Sequence, residues 1–420
     1  MNLSRYPEQI SLLPYIGKWT LIASLIAALS GTASAFFLFA LDWATAWRES
    51  QHWIIWLLPV AGFVVGWIYL KLGRSVEAGN NLLIDEIHDP KKVIPLRLAP
   101  LVLGGTVISH LFGASVGREG TAVQMGGALA DQLTHVFRLK HEDRRILLMS
   151  GISAGFASVF GTPLAGAIFG LEVLSIGRLR YDAIFPCMVA AIAADQISLA
   201  WGVHHTPYAM HAAVPVTVWG VLAVLAAGIA FGLVGMAFAK ATHALTAFMK
   251  QRVSYAPLRP VIGGVVVAAA VSVVGTRYIG LGIPVMVEAF QHPLAWWDCI
   301  GKFVFTVGSL GTGFKGGEVT PLFFSARHSA MRWHRCCICR WRCWRGSALW
   351  LSLRGRRIRR WLRPSWRLSC SGRRSGRMRR WAAWWRICSL ATPASTARSD
   401  WDRPSMGLRR NQTAKFGVHT

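Results

Sequence analysis

Long apolar runs alternate with short polar segments over the first 324 residues of the chain. The runs at 19–47 and 53–72 are each long enough to cross a hydrocarbon core of about 30 Å. Further apolar runs predict more helices, at 95–112, 122–137, 147–174, 181–201, 216–239, 260–274, 284–290 and 300–310. Gly161-Thr162-Pro163 interrupts one of them and predicts two short helices there. The pattern predicts an all-α polytopic membrane protein, preceded by an interfacial segment at 1–18.

Glycine-rich breaks interrupt the apolar pattern at 79–81, 117–121 and 311–321. The second break places Arg118 and Glu119 between Gly117 and Gly120 at membrane depth, where a charged side chain costs roughly 3 kcal/mol and usually has a function. The glycines let the backbone leave helical geometry and expose N–H groups at the start of the next helix, as in an anion site. Recurring broken helices indicate a transport site, whereas ordinary turns are the alternative.

Composition divides the chain in two. Mean hydropathy is +0.38 although the net charge is +27, because segment 325–420 holds twenty-three arginines and one lysine against two aspartates. Six of the eight cysteines also lie in that segment. Cys187 and Cys299, in the remainder, have no metal-ligand spacing, so the sequence predicts neither a metal site nor a cofactor. We also expect no enzyme activity, because no nucleophile clusters with the histidines or cysteines.

Three stretches together resemble the CLC family of anion channels and transporters: GREG at 117–120, GISAGFASVFGTPLAGAIFGLEV at 151–173 and GGEVTP at 316–321. They occur in the family's order and spacing across 19–324. The resemblance implies a CLC-like inverted-repeat helical fold, and a homodimer in the cell inner (plasma) membrane with one pore per subunit. Asparagines at 80 and 81, in place of the usual Gly-Ser-Gly-Ile-Pro type of motif, and Thr121 in place of proline resemble the bacterial fluoride/proton antiporters of that family.

The resemblance also implies roles for individual residues. Glu119 would be the gating carboxylate that exchanges protons for anions, and Glu318 a possible proton relay, with a salt bridge to Lys315 as its alternative. The residues implied in anion binding are Asn80, Asn81, Gly117, Arg118, Gly120, Thr121 and Thr320. The two asparagines would take the place of the usual serine at the central site, although capping of a helix would also explain them. Glu172 and the small-residue stretch around it are expected to serve packing.

Segment 325–420 departs from the family pattern, since it has neither the apolar helices of a second repeat nor the expected closing tyrosine. We interpret it as a frameshift product. One base back, codons for Trp and Cys become codons for Leu, Met or Val, and most Arg codons become codons for Ala, Ser, Thr or Pro. In that register 358–366 reads as a sequence similar to Thr162-Pro163-Leu164-Ala165, and 386–397 contains tyrosine. We therefore expect a truncated second repeat followed by a disordered, non-native basic tail.

The predicted function is fluoride export coupled to proton import, with an inactive product as translated. The alternatives are a chloride/proton exchanger or chloride channel, and a non-functional product whose basic, tryptophan-rich tail binds nucleic acid or anionic lipid. The expected partners are fluoride or chloride ions, protons, the lipid bilayer and a second copy of the chain, with no nucleic acid.

Overall fold

The computed structural model describes residues 12–172, 180–205, 218–291, 295 and 297–319, and most of them form helices joined by turns and short extended segments. The α-helices are α1 Leu13–Ser50, α2 Leu58–Leu72, α3 Asn80–His88, α4 Leu98–Leu111, α5 Glu119–Phe137, α6 His141–Phe160, α7 Pro163–Glu172, α8 Ile184–Ala200, α9 Val218–Arg252, α10 Leu258–Val274, α11 Ile283–Gln291 and α12 Trp297–Thr312. Short 3-10 helices lie at His52–Leu57, Arg74–Val76, Tyr181–Ala183 and Thr276–Tyr278.

Several of these helices confirm the prediction of a membrane protein. Within the described ranges, four helical stretches are long and apolar enough to cross a bilayer: Leu13–Ser50, His52–Leu72, Tyr181–Ala200 and Val224–Arg252. The helices α4, α7 and α10 are apolar but shorter. The predicted run at 216–239 starts outside the described residues. Its helix continues past the predicted end to Arg252, because Lys240 ends the apolar run but lysine is a good helix former.

The predicted break at 161–163 is confirmed, although the helix before it has 20 residues and begins at His141, earlier than predicted. The helix α6 ends at Gly161, which adopts the left-handed conformation with φ of 66°, and α7 begins at Pro163. Glycine tolerates this conformation without steric cost, and proline suits the first turn of a helix. The small residues of α6 also permit close packing, since a Cβ atom added to Gly126 of α5 would lie 3.1 Å from the Cα atom of Gly155.

An internal repeat with a spacing of 200 residues relates the segment around 58–117 to the segment around 258–317. The helices α2 and α10 begin at Leu58 and Leu258, and they pack directly on each other. The same spacing relates residues in and after the last turns of α4 and α12. The equivalent pairs are Ser109 and Ser309, Gly113 and Gly313, and Gly117 and Gly317. Gly113 and Gly313 both have positive φ, 90° and 114°, so the backbone turns in the same way after each of the two helices. The second repeat is described only as far as residue 319.

Candidate functional site

The breaks at 117 and 317 meet in the interior of the molecule. Gly117 and Gly317 form an antiparallel bridge in which each N–H donates to the other's carbonyl, at 2.5 and 2.7 Å. Such a reciprocal pair between equivalent residues is what a two-fold relation between the repeats produces. Side chains are excluded at both positions, since a Cβ atom on Gly117 would lie 2.9 Å from the carbonyl oxygen of Gly317.

The carboxylate of Glu119 lies against this bridge. Its side chain is only 2% exposed, and its Oε2 atom accepts a hydrogen bond of 3.1 Å from the N–H of Arg118. Oε2 also lies 2.6 Å and 3.1 Å from the positions that Cβ atoms on Gly117 and Gly317 would take. Glu119 is the first residue of α5, where unpaired N–H groups and the helix dipole favour a negative charge. The same helix end would favour an inorganic anion if the carboxylate moved away.

The break at 79–81 reaches the same helix end. Gly79 adopts φ of 55° and ψ of −117°, which a glycine tolerates, and α3 begins at the next residue. The Nδ2 atom of Asn80 lies 3.5 Å from the Cβ position of Gly120. Asn80 and Asn81 are both exposed. Of the two amides, the structure therefore brings Asn80 to the first turn of α5.

Gln124 is a further polar residue at this break, and the sequence analysis did not identify it. Its Oε1 and Nε2 atoms lie 3.1 and 3.2 Å from the Cβ position of Gly79. The signal was present in the sequence, because Gln124 follows Gly120 by four residues and therefore lies on the same face of α5. Its carboxamide lies against Gly79 and leaves no room for a side chain there.

Thr121 lies in a different environment from the other predicted anion-binding residues. It is fully buried, and its hydroxyl is 2.6 Å from that of Thr106 on α4. Thr106 already donates to the carbonyl of Val102, at 2.7 Å, so Thr121 is the donor in the pair. The hydroxyl hydrogen of Thr121 thus joins α5 to α4.

The other predicted residues are distributed as follows. Arg118 and Glu318 are both partly buried and flank the bridged glycines. The ammonium of Lys315 lies 4.0 Å from the ring centroid of Tyr69, a cation–π contact with the first repeat. Thr320 lies outside the described residues, so its predicted role stays a prediction.

A buried ionic cluster fixes α3 relative to α5 and α6. Arg144 donates to both carboxylate oxygens of Asp131, at 2.7 and 2.8 Å, and to Glu86 at 2.9 Å. Asp131 also accepts the N–H of Ile94, at 2.7 Å. Arg144 is 4% exposed and Asp131 is fully buried, so charge-assisted bonds of this kind hold the three helices in one arrangement. The cluster thereby joins α3, which begins at Asn80, to α5.

Comparison with known proteins shows which sequences this chain is similar to. Residues 61–326 match the family model "Voltage gated chloride channel". A chloride/fluoride channel protein of Pseudomonas syringae pv. tomato is 67% identical over 331 residues, which cover 77% of this chain and 73% of that protein. An H(+)/Cl(-) exchange transporter ClcA of Vibrio vulnificus is 26% identical over 326 residues, or 72% of this chain and 69% of that protein.

A solved structure supports the same relationship. The crystal structure of a CLC-type fluoride/proton antiporter superposes with a TM-score of 0.76 at 33% identity, and the match covers 79% of this chain and 85% of that one. The matched family model extends over more than half of the chain and includes all three glycine-rich breaks. The chain therefore belongs to the CLC family of voltage-gated chloride channels and related transporters.

Proposed function

We propose that this protein is the transport domain of a fluoride exporter that couples fluoride efflux to proton entry. The observation that carries the proposal is the buried Glu119 carboxylate, which covers the Gly117–Gly317 bridge at the N-terminus of α5. A carboxylate in this place competes with an anion for the same N–H groups while it is charged. Protonation removes the charge and releases the helix end to the anion. One group thus links proton uptake to anion movement.

Fluoride is the proposed substrate because of the amide-bearing side chains beside the helix end. Fluoride is small and strongly hydrated, so a site that removes its water must replace it with strong hydrogen-bond donors. The Asn80 amide next to Gly120 is such a donor, and Asn81 follows it on the first turn of α3. The names of the Pseudomonas syringae relative and of the superposed antiporter both include fluoride. In this scheme Glu318 relays protons on the other side of the bridge, and Thr320 completes the site.

A chloride/proton exchanger is the second candidate, favoured by the likeness to the Vibrio vulnificus transporter. It predicts that chloride is carried as readily as fluoride. We expect the protein to act as a homodimer in the inner membrane and to have no enzymatic activity.

Segment 325–420 is, in this proposal, a frameshifted replacement for the rest of the second repeat. The family match ends at residue 326, which supports a loss of the correct frame just after Phe324. The chain as translated would then lack the helices that close the anion passage, and it would not transport.

The test is ion flux from liposomes that contain either the 420-residue chain or a version whose reading frame is restored after Phe324. The restored protein should release fluoride at least tenfold faster than chloride, and an imposed fluoride gradient should drive protons in the opposite direction. The 420-residue chain should release neither ion. Equal rates for the two halides would favour the chloride exchanger, and fluoride flux without proton movement would reject the antiport mechanism.

A further inference from the structure

The strand that leads to Glu119 is attached to the second repeat by hydrogen bonds. We call residues 113–117 the gate strand. The N–H of Ser115 donates to Oγ of Ser309 at 3.0 Å, and Oγ of Ser115 lies 2.9 Å from Oγ1 of Thr306. All three side chains are fully buried. Two successive turns of α12 therefore hold one residue of the gate strand.

The directions of these bonds follow from the other bonds that α12 makes. Ser309 donates its hydroxyl hydrogen to the carbonyl of Phe305 at 2.8 Å, and Thr306 donates to the carbonyl of Lys302, also at 2.8 Å. Each hydroxyl therefore offers Ser115 only a lone pair. Ser115 is the donor in both contacts, through its backbone N–H and through its own hydroxyl.

Neighbouring residues of the gate strand are held from the same side. The N–H of Gly280 donates to the carbonyl of Ala114 at 3.2 Å, and the carbonyl of Gly280 accepts a bond of 2.6 Å from the ammonium of Lys302. Together with the bridge at Gly117, the second repeat thus contacts the gate strand at residues 114, 115 and 117. The backbone next to Glu119 has little freedom to shift.

Apart from the backbone bridge at Gly317, the equivalent segment of the second repeat, residues 313–317, contacts the first repeat through side chains. Phe314 packs on Gly62, and Lys315 lies over Tyr69 with its stem against Gly105. Apolar and cation–π contacts of this kind are less directional than hydrogen bonds to the backbone. The two acidic residues of the site therefore follow strands that are held in different ways.

We propose that Ser309 and Thr306 are positioning residues for Glu119, and that their hydroxyls hold the gate strand fixed while the carboxylate moves. The inference rests on the proposed role of Glu119 as the gate. A fixed strand confines the response to protonation to the side chain of Glu119. A strand free to shift would open the passage without protonation, so protons and anions would no longer move in a fixed ratio.

The internal repeat provides a matched control. Ser109 is the counterpart of Ser309, is equally buried, and donates to the carbonyl of Gly105 at 2.7 Å in its own helix. Ser309 differs by accepting the N–H of Ser115. Ser309→Ala and Ser109→Ala therefore remove the same atoms from equivalent helix positions, but only the first breaks a bond to the gate strand.

Amide hydrogen exchange of the 420-residue chain in detergent tests the attachment. Ser309→Ala should speed exchange across residues 112–118 by roughly tenfold, the effect of losing one buried hydrogen bond, whereas Ser109→Ala should leave that segment within about twofold of wild type. Ser309→Thr keeps the hydroxyl and should restore protection. If Ser309→Ala does not fold, Thr306→Val provides the same comparison. Equal exchange in both alanine variants would overturn the inference.

The ratio of protons to fluoride ions, measured in the frame-restored protein, tests the functional consequence. Ser309→Ala should lower the number of protons moved per fluoride ion by at least about twofold, while Ser109→Ala keeps the wild-type ratio. An unchanged ratio in Ser309→Ala, beside faster exchange, would reject the positioning role although fluoride transport stands. If the wild-type protein moves no fluoride, the proposed function fails, and the exchange comparison alone decides whether α12 positions the strand.

Discussion

Gly117 and Gly317 allow two backbones to meet at the point where the proposed gate lies. A methyl group on Gly117 would approach the backbone carbonyl of Gly317 to 2.9 Å, and the bridge cannot make room for it without separating the two segments. The carboxylate of Glu119, 2.6 Å from the same methyl position, is the end of a side chain and can move. The identity of the two glycines is therefore determined by space. In the proposed mechanism the identity of Glu119 is determined by chemistry, because a carboxylate that occupies the helix end must also be able to accept a proton.

We predict that Gly117→Ala destabilises the chain by about 1–3 kcal/mol, because the added methyl group must separate the bridged strands. Thermal unfolding of the 420-residue chain in detergent measures the change. Gly104→Ala is the control, since a Cβ atom there meets nothing within 4 Å and alanine favours a helix by up to about 1 kcal/mol. Equal unfolding temperatures for the two variants would show that the bridge is not as close as described.

A second prediction at this scale concerns Thr121. Thr121→Val removes the hydroxyl that donates to Thr106, so stability should fall by about 1 kcal/mol. In the frame-restored protein, the ratio of fluoride to chloride flux should stay within about twofold of wild type, because this hydroxyl already donates to Thr106. A marked loss of fluoride preference would instead support the anion-binding role that the family resemblance implies for Thr121.

At the scale of helices, the arrangement depends on interactions between elements that are far apart in sequence. The cluster of Arg144, Asp131 and Glu86 joins three helices, and the hydroxyls of α12 hold the gate strand of the other repeat. The sequence did not reveal these contacts, since single charges near loops and single hydroxyls within helices are common and have no local pattern. The glycine breaks were predictable because charges and glycines stand out within an apolar run.

The repeat could also have been found from the sequence. Serine, glycine and glycine recur with the same spacing at 109, 113 and 117 and again at 309, 313 and 317. This pattern predicts that the two breaks occupy equivalent positions. It does not predict that they pair with each other, because pairing depends on how α2 packs on α10 and on the turns that precede each glycine.

We predict that Arg144→Met destabilises the protein by about 3–5 kcal/mol, since Asp131 would remain buried without its partner. Chemical or thermal unfolding measures the loss. Lys18→Met is the control, because Lys18 and Asp143 form an ion pair whose side chains are 42% and 30% exposed, and water screens it. That variant should lose no more than about 1 kcal/mol. A similar loss in both would mean that Arg144 contributes as a surface charge does.

At the scale of the whole molecule, the described residues contain the first repeat, except for 173–179 and 206–217, and the second repeat as far as residue 319. All three glycine-rich breaks begin within that part, and they converge on the N-terminus of α5. The sequence-based prediction of an all-α membrane protein of the CLC type is confirmed by the fold and by the family match. The boundary at Phe324 and the origin of segment 325–420 stay predictions.

The frameshift interpretation makes a prediction about the gene. DNA sequence across codon 325 should show that one missing base, when restored, opens a frame rich in leucine, valine, alanine and proline. That frame should align with the Pseudomonas syringae relative beyond the region already matched. An intact single frame in independent isolates, with no such alignment, would refute the interpretation.

The most direct test of the central claim is the acid response of fluoride efflux from liposomes that contain the frame-restored protein, compared with its Glu119→Gln variant. The wild-type protein should export fluoride faster as the medium is acidified, and outward fluoride movement should be accompanied by proton entry into the liposomes. Glu119→Gln, which cannot bind or release a proton at this place, should give fluoride movement that neither responds to acidity nor moves protons. An acid response and proton movement in the variant equal to those of wild type would contradict the account.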